Sequence, residues 1–395
     1  MSYEIASGQG ELIFVAIQSD KDVLNFPTSS GTIFLTEPPT FSQEPTVVKN
    51  DEMRDSYAEQ KSKIAGFKMG SLKLAGNFKV SGTPGALSPI HPLLLAAYGR
   101  HTVTSNTKVE YMHYRRSTED PFIYLTVLIK KQAETVLLKN VRVKKFDTDI
   151  QADKNLPLSC DCMYEYQYIA GKSTLKNAID GTVTPVTTIP LNGLEDYQLF
   201  TVGCYIYVGT DDNSGEGFEV TEVSKAANTL TIAGGVTTEQ AQAAKIGGFV
   251  PTAVISGNNI VTSKSWMNAI TGELGSQKIY LTQVKFGLEN GTKALENIMS
   301  DTGVKGFSEG SRKATFSVQK YFSLFGENAR YLHENAVEVP LDVQVGSESG
   351  SIVKIVIPCW IVNKQNESGK EEKALSIDGQ CFEDSGDDES TLVLM

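Results

Sequence analysis

The stretch Val337-Glu338-Val339-Pro340-Leu341-Asp342-Val343-Gln344-Val345 alternates apolar and polar residues without interruption. Successive side chains of a β-strand point to opposite faces, so the pattern predicts a strand with one buried and one solvated face. Pro340 cannot donate a ladder hydrogen bond, which predicts a sheet edge, a bulge or the end of regular pairing there. We therefore expect a mainly β fold.

The same alternation recurs along most of the chain, with Gly, Asn, Asp or Pro between the runs. Further strands are predicted over residues 12–17, 32–36, 71–81, 108–115, 122–131, 135–149, 156–168, 278–288, 312–322, 352–362 and 374–382. Helical patterns are few. One follows Ser88-Pro89 and ends at Gly99, and two more candidates lie at 292–299 and 328–334.

Length and charge limit the function. The chain has 395 residues, whereas one domain usually takes about 100–150, so we expect two or three domains. Its 36 basic and 47 acidic residues leave a net charge of -11, the wrong sign for gripping nucleic acid through phosphates. An acidic surface lining a passage would instead keep a polyanion from sticking.

Membrane and cysteine patterns are equally restrictive. No apolar run reaches the ~18–20 residues needed to cross a bilayer, and the N-terminus lacks a signal-peptide pattern, so we expect a soluble chain. Five sparse cysteines suit a reducing compartment. Cys160 and Cys162 share one face of a predicted strand, but zinc would need two further ligands and no histidine is near in sequence. Two buried thiols are the preferred interpretation.

Between about 171 and 259 the sequence becomes richer in Thr, Gly, Asn and Asp, which predicts a separate small β-barrel or Ig-like module. Its strands are expected at 199–208, 218–223, 229–232 and 248–250. The parts of the chain on either side of this module have the same order of predicted elements: a strand, a polar connection and a second strand. In the first part these are 136–143, 147–155 and 156–165, and in the second part 352–362, 363–372 and 373–382. This repeat predicts a duplicated β-domain. The predicted division is a first domain at 1–176, the module at 177–258 and a second domain at 259–395. We expect the acidic tail at 383–389 to be flexible.

Catalytic signatures fail on spacing. Gly171-Lys172-Ser173-Thr174 ends like a phosphate-binding loop, but the first glycine of that motif would fall at Tyr166. Gly346-Ser347-Glu348-Ser349-Gly350 has a glutamate where a nucleophile elbow needs serine. The four histidines have no metal-ligand spacing, and paired carboxylates lie in turn-like segments. We expect no enzyme activity, cofactor or metal.

Short motifs in a fixed order carry a family resemblance. They are Gly8-Gln9-Gly10-Glu11-Leu12, Glu52-Met53-Arg54-Asp55-Ser56, Gly70-Ser71-Leu72-Lys73-Leu74-Ala75-Gly76-Asn77-Phe78, His91-Pro92-Leu93-Leu94-Leu95-Ala96-Ala97-Tyr98-Gly99, Val284-Lys285-Phe286-Gly287-Leu288-Glu289-Asn290 and Gly310-Ser311-Arg312-Lys313. Together they resemble tail tube (major tail) proteins of long-tailed bacteriophages, in the variety with two tube domains per chain. The resemblance covers the chain on either side of the central module.

The resemblance implies two β-sandwich domains, each with a flanking helix, whose strands join those of neighbours into a barrel around a lumen. Rings of six domains, with two domains per chain, imply a homotrimer of pseudo-sixfold symmetry, and stacked rings form a filament. Implied partners are further copies, tape measure protein, tail terminator and distal tail or baseplate proteins. Phage DNA would pass without specific binding or membrane insertion, in a virion tail assembled in the host cytoplasm.

Two sets of residues follow from the resemblance. The charged segment 49–63 looks like the family's loop that reaches an adjacent subunit or ring, with Lys49, Asp51, Glu52, Arg54 and Asp55 as candidates. Lumen-facing candidates are Glu338, Asp342 and Gln344 on the polar face of the predicted strand. The central module is expected on the outer surface.

Two other functions are considered. The chain could be another ring-forming part of the tail, such as a distal tail, baseplate hub or terminator protein. It could also be a carbohydrate-binding adhesin whose central module binds the glycan. Electron microscopy and glycan binding by residues 171–259 would discriminate between them.

Overall fold

The computed structural model describes residues 11–33, 35–43, 45–48, 63–67, 69–113, 123–151, 154–253, 261, 270–274, 277–279, 281–296, 304–321, 331–368 and 374–395. Strands dominate these ranges, which confirms the predicted mainly β fold. The elements up to residue 170 are β1 Leu12–Ile17, β2 Thr32–Ile33, β3 Thr40–Ser42, β4 Pro45–Val48, β5 Lys63–Phe67, β6 Gly70–Asn77, α1 His91–Tyr98, β7 Gly99–Thr104, β8 Lys108–His113, β9 Leu125–Lys130, β10 Thr135–Gln151, β11 Pro157–Tyr164 and β12 Tyr166–Ala170.

The middle of the chain adds shorter strands and the rest adds longer ones. In the middle these are β13 Lys172–Thr174, β14 Ile179–Asp180, β15 Val186–Pro190, β16 Tyr205–Val208, β17 Phe218–Ser224, β18 Thr229–Val236, β19 Glu239–Gln240 and β20 Lys245–Gly248. After them come β21 Ile270–Leu274, β22 Gln277–Ile279, β23 Gln283–Glu289, β24 Thr292–Glu296, β25 Val304–Glu309, β26 Lys313–Tyr321, β27 Val339–Val345, β28 Val353–Ser368, β29 Ala374–Phe382 and β30 Thr391–Leu394.

Helix α1 matches its prediction. It begins at His91 with a proline in its first turn and ends where Gly99 adopts φ 103°, a conformation that favours glycine. Residues 331–334 are also helical, within the predicted 328–334. The predicted helix at 292–299 is wrong, because Thr292–Glu296 forms strand β24 in an antiparallel hairpin with β25. The backbone pairing there overrides a moderate local helix preference.

The chain forms two compact units. One comprises Met1–Phe34, Tyr124–Val141 and Tyr166–Ile255, and the other Leu35–Ile123, Arg142–Glu165 and Ser256–Met395. The long strand β10 belongs to the first unit up to Val141 and to the second from Arg142. This grouping does not test the predicted division into 1–176, 177–258 and 259–395, which stays a prediction.

The first unit contains two sheets. One has the order β2-β1-β9-β10-β12, with the first part of β10 between β9 and β12. The other is six-stranded, in the order β13-β20-β16-β17-β18-β15, and covers the central module. The predicted strands at 218–223 and 229–232 are confirmed. The strand predicted at 199–208 starts only at Tyr205, after a 3₁₀ turn at Asp196–Leu199, and the one predicted at 248–250 ends at Gly248.

The module has its own apolar core. Its members come from five of the six strands, β15, β16, β17, β18 and β20, and from the segments between strands, and include Leu175, Ile189, Leu191, Phe200, Cys204, Ile206, Val208, Phe218, Val220, Leu230, Ile232, Val236 and Ile246. These side chains alternate with polar ones along each strand, as half-buried strands require.

In the second unit the strands branch at β28. Residues from Val353 pair with β27 on one side and β30 on the other, in the order β22-β21-β27-β28-β30-β8-β7. Farther along, β28 pairs with β29. The pairing of β27 with β28 shifts register between Val339 and Leu341, so Pro340 lies at a bulge, one of the three outcomes predicted for it.

The acidic C-terminal segment, for which flexibility is predicted, makes local contacts in the structure. Asp388 accepts hydrogen bonds from the backbone N–H groups of Asp384 and Ser385. Arg312, with a side chain only 6% exposed, forms ion pairs with Asp387 and Glu389. The acidic residues are therefore held at the surface by local hydrogen bonds and one buried cation.

A candidate self-assembly surface

Two long hairpins of the chain have the same construction. Strands β10 and β11 pair with a register shift between Val143 and Lys145, and β28 and β29 pair with a shift between Val362 and Lys364. In both, the residue after the shift is a lysine opposite an aspartate, Lys145 opposite Asp161 and Lys364 opposite Asp378. The sequences Leu158-Ser159-Cys160-Asp161 and Leu375-Ser376-Ile377-Asp378 are also alike.

A second shared irregularity fixes the comparison. The pairing of β10 with β9 shifts between Leu138 and Val141, and the pairing of β28 with β27 shifts over the corresponding residues, between Ile357 and Trp360. Bulges re-aim a strand at a defined position, so two of them at the same spacing identify equivalent residues. Val143 thus corresponds to Val362, and Val141 to Trp360.

The neighbouring strands correspond in order as well. Each strand of an early set pairs with the counterparts of the strands that its equivalent in a later set pairs with. In order, the early set is β1, β2, β3, β6, β9, β11 and β12, and the later set is β21, β22, β23, β26, β27, β29 and β30. Between β3 and β6 lies the two-stranded ladder β4–β5, and between β23 and β26 lies the two-stranded ladder β24–β25. Among the described strands, the hairpin β7–β8 and the central module have no counterpart. The strand pairing is that of a duplicated fold.

The two copies of the motif join within one sheet. Its strand order is β3-β6-β11-β10-β23-β26-β29-β28, so four strands of the first copy are followed by the four equivalent strands of the second. We call it the tandem sheet. Its centre is the antiparallel pairing of β10 with β23, from Lys145 opposite Glu289 to Gln151 opposite Gln283. We call this pairing the internal joint.

Side chains reinforce the internal joint. The Gln283 amide donates to both carboxylate oxygens of Asp149, at 2.7 and 2.9 Å. At the other end, the backbone N–H of Asn290 donates to the Lys144 carbonyl at 2.9 Å. The buried Asn290 amide also donates to the carbonyls of Ala97 and Val143, at 2.9 and 3.2 Å. The end of helix α1 is thereby tied to the joint.

The two faces of the tandem sheet differ sharply. One is apolar and buried, with Leu72, Leu74, Cys160, Cys162, Phe146, Ile150, Val284, Phe286, Leu288, Phe316, Val318, Leu375 and Ile377. The opposite face, which we call the polar face, carries Lys73, Lys145, Asp147, Asp149, Asp161, Lys285, Glu289, Ser317, Gln319, Ser376 and Asp378, half-buried or exposed. The predicted placement of Cys160 and Cys162 on one buried face is confirmed.

Charges of both signs are interleaved on the polar face. Lys145 forms an ion pair with Asp147 at 2.7 Å. The hydrogen bond to Asp147 raises the pKa of Lys145, and the nearby carboxylates of Asp161 and Glu289 act in the same direction against a lowering by burial. The polar face therefore carries charges of both signs rather than carboxylates alone.

Neither outer margin of the tandem sheet has a ladder partner among the described strands. Among the described strands, β3 pairs only with β6 through its ladder, and β28 beyond Trp360 pairs only with β29. In the first copy, the margin equivalent to that of β28 is occupied by β23, and in the second, the margin equivalent to that of β3 is occupied by β10. Open strand margins are templates for pairing with another chain.

The predicted lumen residues lie outside the tandem sheet. Asp342 and Gln344 are on β27, where Asp342 forms an ion pair with Lys354 at 2.5 Å and the Gln344 amide donates to the Gly346 carbonyl. Glu338 is exposed just before this strand. The predicted loop residues Lys49, Asp51, Glu52, Arg54 and Asp55 lie outside the described residues. The polar face of the tandem sheet was not singled out from the sequence, because its residues are spread over eight strands.

The described ranges were not found to hold a metal cluster or a membrane-spanning helix. No group of three or more His, Cys, Asp or Glu residues there is placed to hold a metal ion. No helix in these ranges is long and apolar enough to cross a membrane. All five cysteines are buried and unbridged, and burial raises the pKa of the Cys204 thiol to about 12.

Comparisons with known proteins add structural similarity only. No family model and no curated protein matches the chain. A chain of the native gene transfer agent virion is 14% identical, with 29% of this chain and 92% of that chain covered and a TM-score of 0.24. A chain of the tail of empty gene transfer agent particles is 16% identical, with 29% of this chain and 91% of that chain covered and a TM-score of 0.24. A chain of the anti-feeding prophage baseplate is 15% identical, with 43% of this chain and 98% of that chain covered and a TM-score of 0.29. Similarities of this size carry no argument for function.

Proposed function

We propose that this chain is a structural virion protein that oligomerises into stacked rings and forms the tail tube of a long-tailed phage. The tube would conduct DNA and enclose tape measure protein, and would end against terminator and distal tail or baseplate proteins. The single observation that carries the proposal is the tandem sheet, in which one copy of the motif continues the sheet of its duplicate and neither outer margin has a ladder partner in the described part of the chain.

Unpaired sheet edges favour the proposed assembly. A long open margin is a liability in a monomer, because its N–H and C=O groups pair with any available strand. A sheet that repeats a four-strand motif and ends in two complementary margins, one of β3 and the other of β28, can instead be extended by identical copies. Extension with a constant rotation closes a ring, and closure removes every edge.

The duplicated motif also supports the proposed stoichiometry. If six copies of the motif complete a ring, three chains suffice, and the ring has pseudo-sixfold symmetry. The duplication likewise agrees with two tube domains on either side of the central module, at 1–176 and 259–395. Stacking of such rings is head to tail and therefore builds a filament rather than a closed particle.

The polar face of the tandem sheet suits the wall of an aqueous passage. Carboxylates of Asp147, Asp149, Asp161, Glu289 and Asp378 lie among its lysines, and Lys145 is ion-paired with Asp147, so the face is not a cationic strip and a passing polyanion would find no continuous grip. This supports a conduit for DNA over a DNA-binding surface.

Negative-stain electron microscopy of the concentrated, purified protein tests the proposal. We expect stacked rings or tubes with a threefold or pseudo-sixfold end view. Single rings that never stack would favour a terminator or hub protein, the alternative within the same structural class. A protein that stays monomeric at every concentration would refute self-assembly, and glycan binding by the chain would then favour the adhesin alternative.

A further inference from the structure

We propose that the margin of β28 pairs with β3 of a second copy of the chain in the register of the internal joint. Asn366 then lies opposite Ser42 of the second copy, and Glu367 lies opposite its Phe41. The inference rests on the proposed function, because it specifies how neighbouring copies are joined. It adds the strands, the direction and the register, which self-assembly alone does not define.

The register follows from the equivalent residues. Counting from the shared bulge, Lys145 corresponds to Lys364 and Asp147 to Asn366. Across the sheet, Asp161 is opposite Lys73 and Asp378 is opposite Ser317, so Lys73 corresponds to Ser317.

The next pairing completes the derivation. Lys73 is opposite Thr40 and Ser317 is opposite Lys285, so Phe41 corresponds to Phe286 and Ser42 to Gly287. In the internal joint Asp147 is opposite Gly287. The same antiparallel register therefore places Asn366 opposite Ser42.

One hydrogen bond supports this register independently. In the internal joint the Lys144 carbonyl accepts from the backbone N–H of Asn290. The register puts Asn363 in the place of Lys144 and Pro45 in the place of Asn290, and a proline has no N–H to donate. In this chain the Asn363 carbonyl already accepts from the ring nitrogen Nε2 of His333, at 3.0 Å. The Asn363 carbonyl, for which Pro45 of the second copy has no donor, therefore has a donor in His333 of its own chain.

The side chains at the two margins suit contact between separate molecules. The apolar pair Phe146 and Leu288 of the internal joint is replaced by Gln365 and Gln43. Asn366 and Ser42 are exposed in the single chain. Polar margins keep an unassembled chain soluble while leaving its ladder groups able to pair.

Paired cysteines test the register. The variant S42C/N366C should form disulfides between chains when assembled rings or tubes are oxidised, and a non-reducing gel should show dimers and larger multiples. The internal pair D147C/G287C is the positive control, because it occupies the same register within one chain and should close without joining chains. The five native cysteines are buried, so the introduced thiols are the accessible ones.

The pair S42C/Q380C is the matched negative control. Gln380 lies on the same face of the tandem sheet, one strand farther in than β28, and is half-buried. We expect no linkage from this pair, and none from S42C/N366C in dilute, unassembled protein. A short bismaleimide applied to all three pairs gives a second measurement that does not depend on disulfide geometry.

The outcomes separate the register from the function. If rings or tubes form and the internal pair reacts, but S42C/N366C links no more than S42C/Q380C by either reagent, the register is wrong and the proposed function is unaffected. If wild-type protein forms neither rings nor tubes, the proposed function fails. If links between chains form with S42C/N366C and not with S42C/Q380C, both the register and the proposed function are supported.

A charge exchange gives an independent check. Like charges directly opposite each other destabilise a strand pair, so S42K/N366K should raise the concentration at which tubes appear by roughly two- to fivefold. S42K/N366D should restore it. Equal assembly by both double variants would count against the proposed contact.

Discussion

At the scale of single residues, the buried Trp360 shows how the duplicated motif diverged. Its indole N–H donates to the Phe316 carbonyl at 3.1 Å, and the position beside it is Gly379. A Cβ added at Gly379 would lie 2.2 Å from the indole nitrogen and 2.5 Å from the backbone carbonyl oxygen of Ile361. In the first copy Val141 stands in the place of Trp360, and Cys162 stands in the place of Gly379. The smaller valine therefore leaves room for a cysteine side chain, whereas the larger tryptophan is accommodated by a glycine.

Gly379→Ala should therefore destabilise the chain by about 1–3 kcal/mol, the usual effect of overpacking a core. Chemical denaturation of unassembled protein measures the loss, with Gln380→Ala on the polar face as the matched control. In the W360F/G379A double variant the combined loss should be smaller than the sum of the two single losses. Additive losses would show that the Ile361 carbonyl, rather than the indole, excludes the Cβ.

His113 gives a residue-scale prediction about pH. Its ring nitrogen Nε2 lies 3.0 Å from the Ser390 hydroxyl, and burial, with the Arg312 and Arg100 charges, lowers its pKa to about 3. In the unfolded chain the ordinary value is about 6.5. The unfolded state therefore binds a proton first, and the stability is lost as pH falls from about 6.5 towards 3.

Between pH 7 and 5, His113→Gln should reduce the pH dependence of the unfolding free energy by about one proton, or roughly 1.4 kcal/mol per pH unit once below 6.5. Denaturant titrations of unassembled wild type and variant over that range measure the difference. Parallel curves for the two proteins would mean that His113 does not titrate on unfolding.

At the scale of elements, the internal joint depends on Asn290. Asn290→Ala removes both donors to the Ala97 and Val143 carbonyls and leaves these buried acceptors without that amide, so we expect a loss of about 1–3 kcal/mol. Asn290→Asp should be at least as damaging, because a carboxylate cannot donate. Asn366→Ala, at an exposed position, is the control for unfolding measurements, and equal stability of all three variants would contradict the anchoring role.

The elements also show where sequence reasoning succeeds. Strands with strict alternation, such as β27, and the helix between Pro92 and Gly99 follow from local patterns that burial reinforces. The hairpin β24–β25 and the 3₁₀ turn at Asp196–Leu199 depend on tertiary pairing and were not found. The repeat is predicted by the order of the strands. Few residues are identical between the two copies, beyond pairs such as Leu158-Ser159 and Leu375-Ser376. Which residue of one copy corresponds to which of the other could therefore be assigned only from the bulges that both copies share.

At the scale of the whole molecule, two surfaces are candidates for the wall of the proposed passage. One is the strand that carries the predicted Glu338 and Asp342, and the other is the polar face of the tandem sheet, which the sequence did not reveal. Only the second belongs to the sheet that copies would extend. The sequence predicted the type of surface, polar alternation on one face, but not which of many strands continue from copy to copy.

Charge reversal distinguishes the two walls. Phages carrying E338K/D342K and phages carrying D378K should both assemble tubes, and we expect slower DNA ejection from the set whose lysines face the passage. Ejection kinetics in vitro, with tube length in micrographs as the assembly control, provide the measurement. Unchanged kinetics for E338K/D342K would remove these residues from the lumen, and unchanged kinetics for D378K would do the same for the polar face.

The central module occurs once for every two copies of the sheet motif. In a ring built from an even number of motifs, only alternate positions could display it, so the ring's decoration would have half the rotational order of its wall. A partner that recognised the module would then dock in threes, whereas one that recognised the wall would dock in sixes.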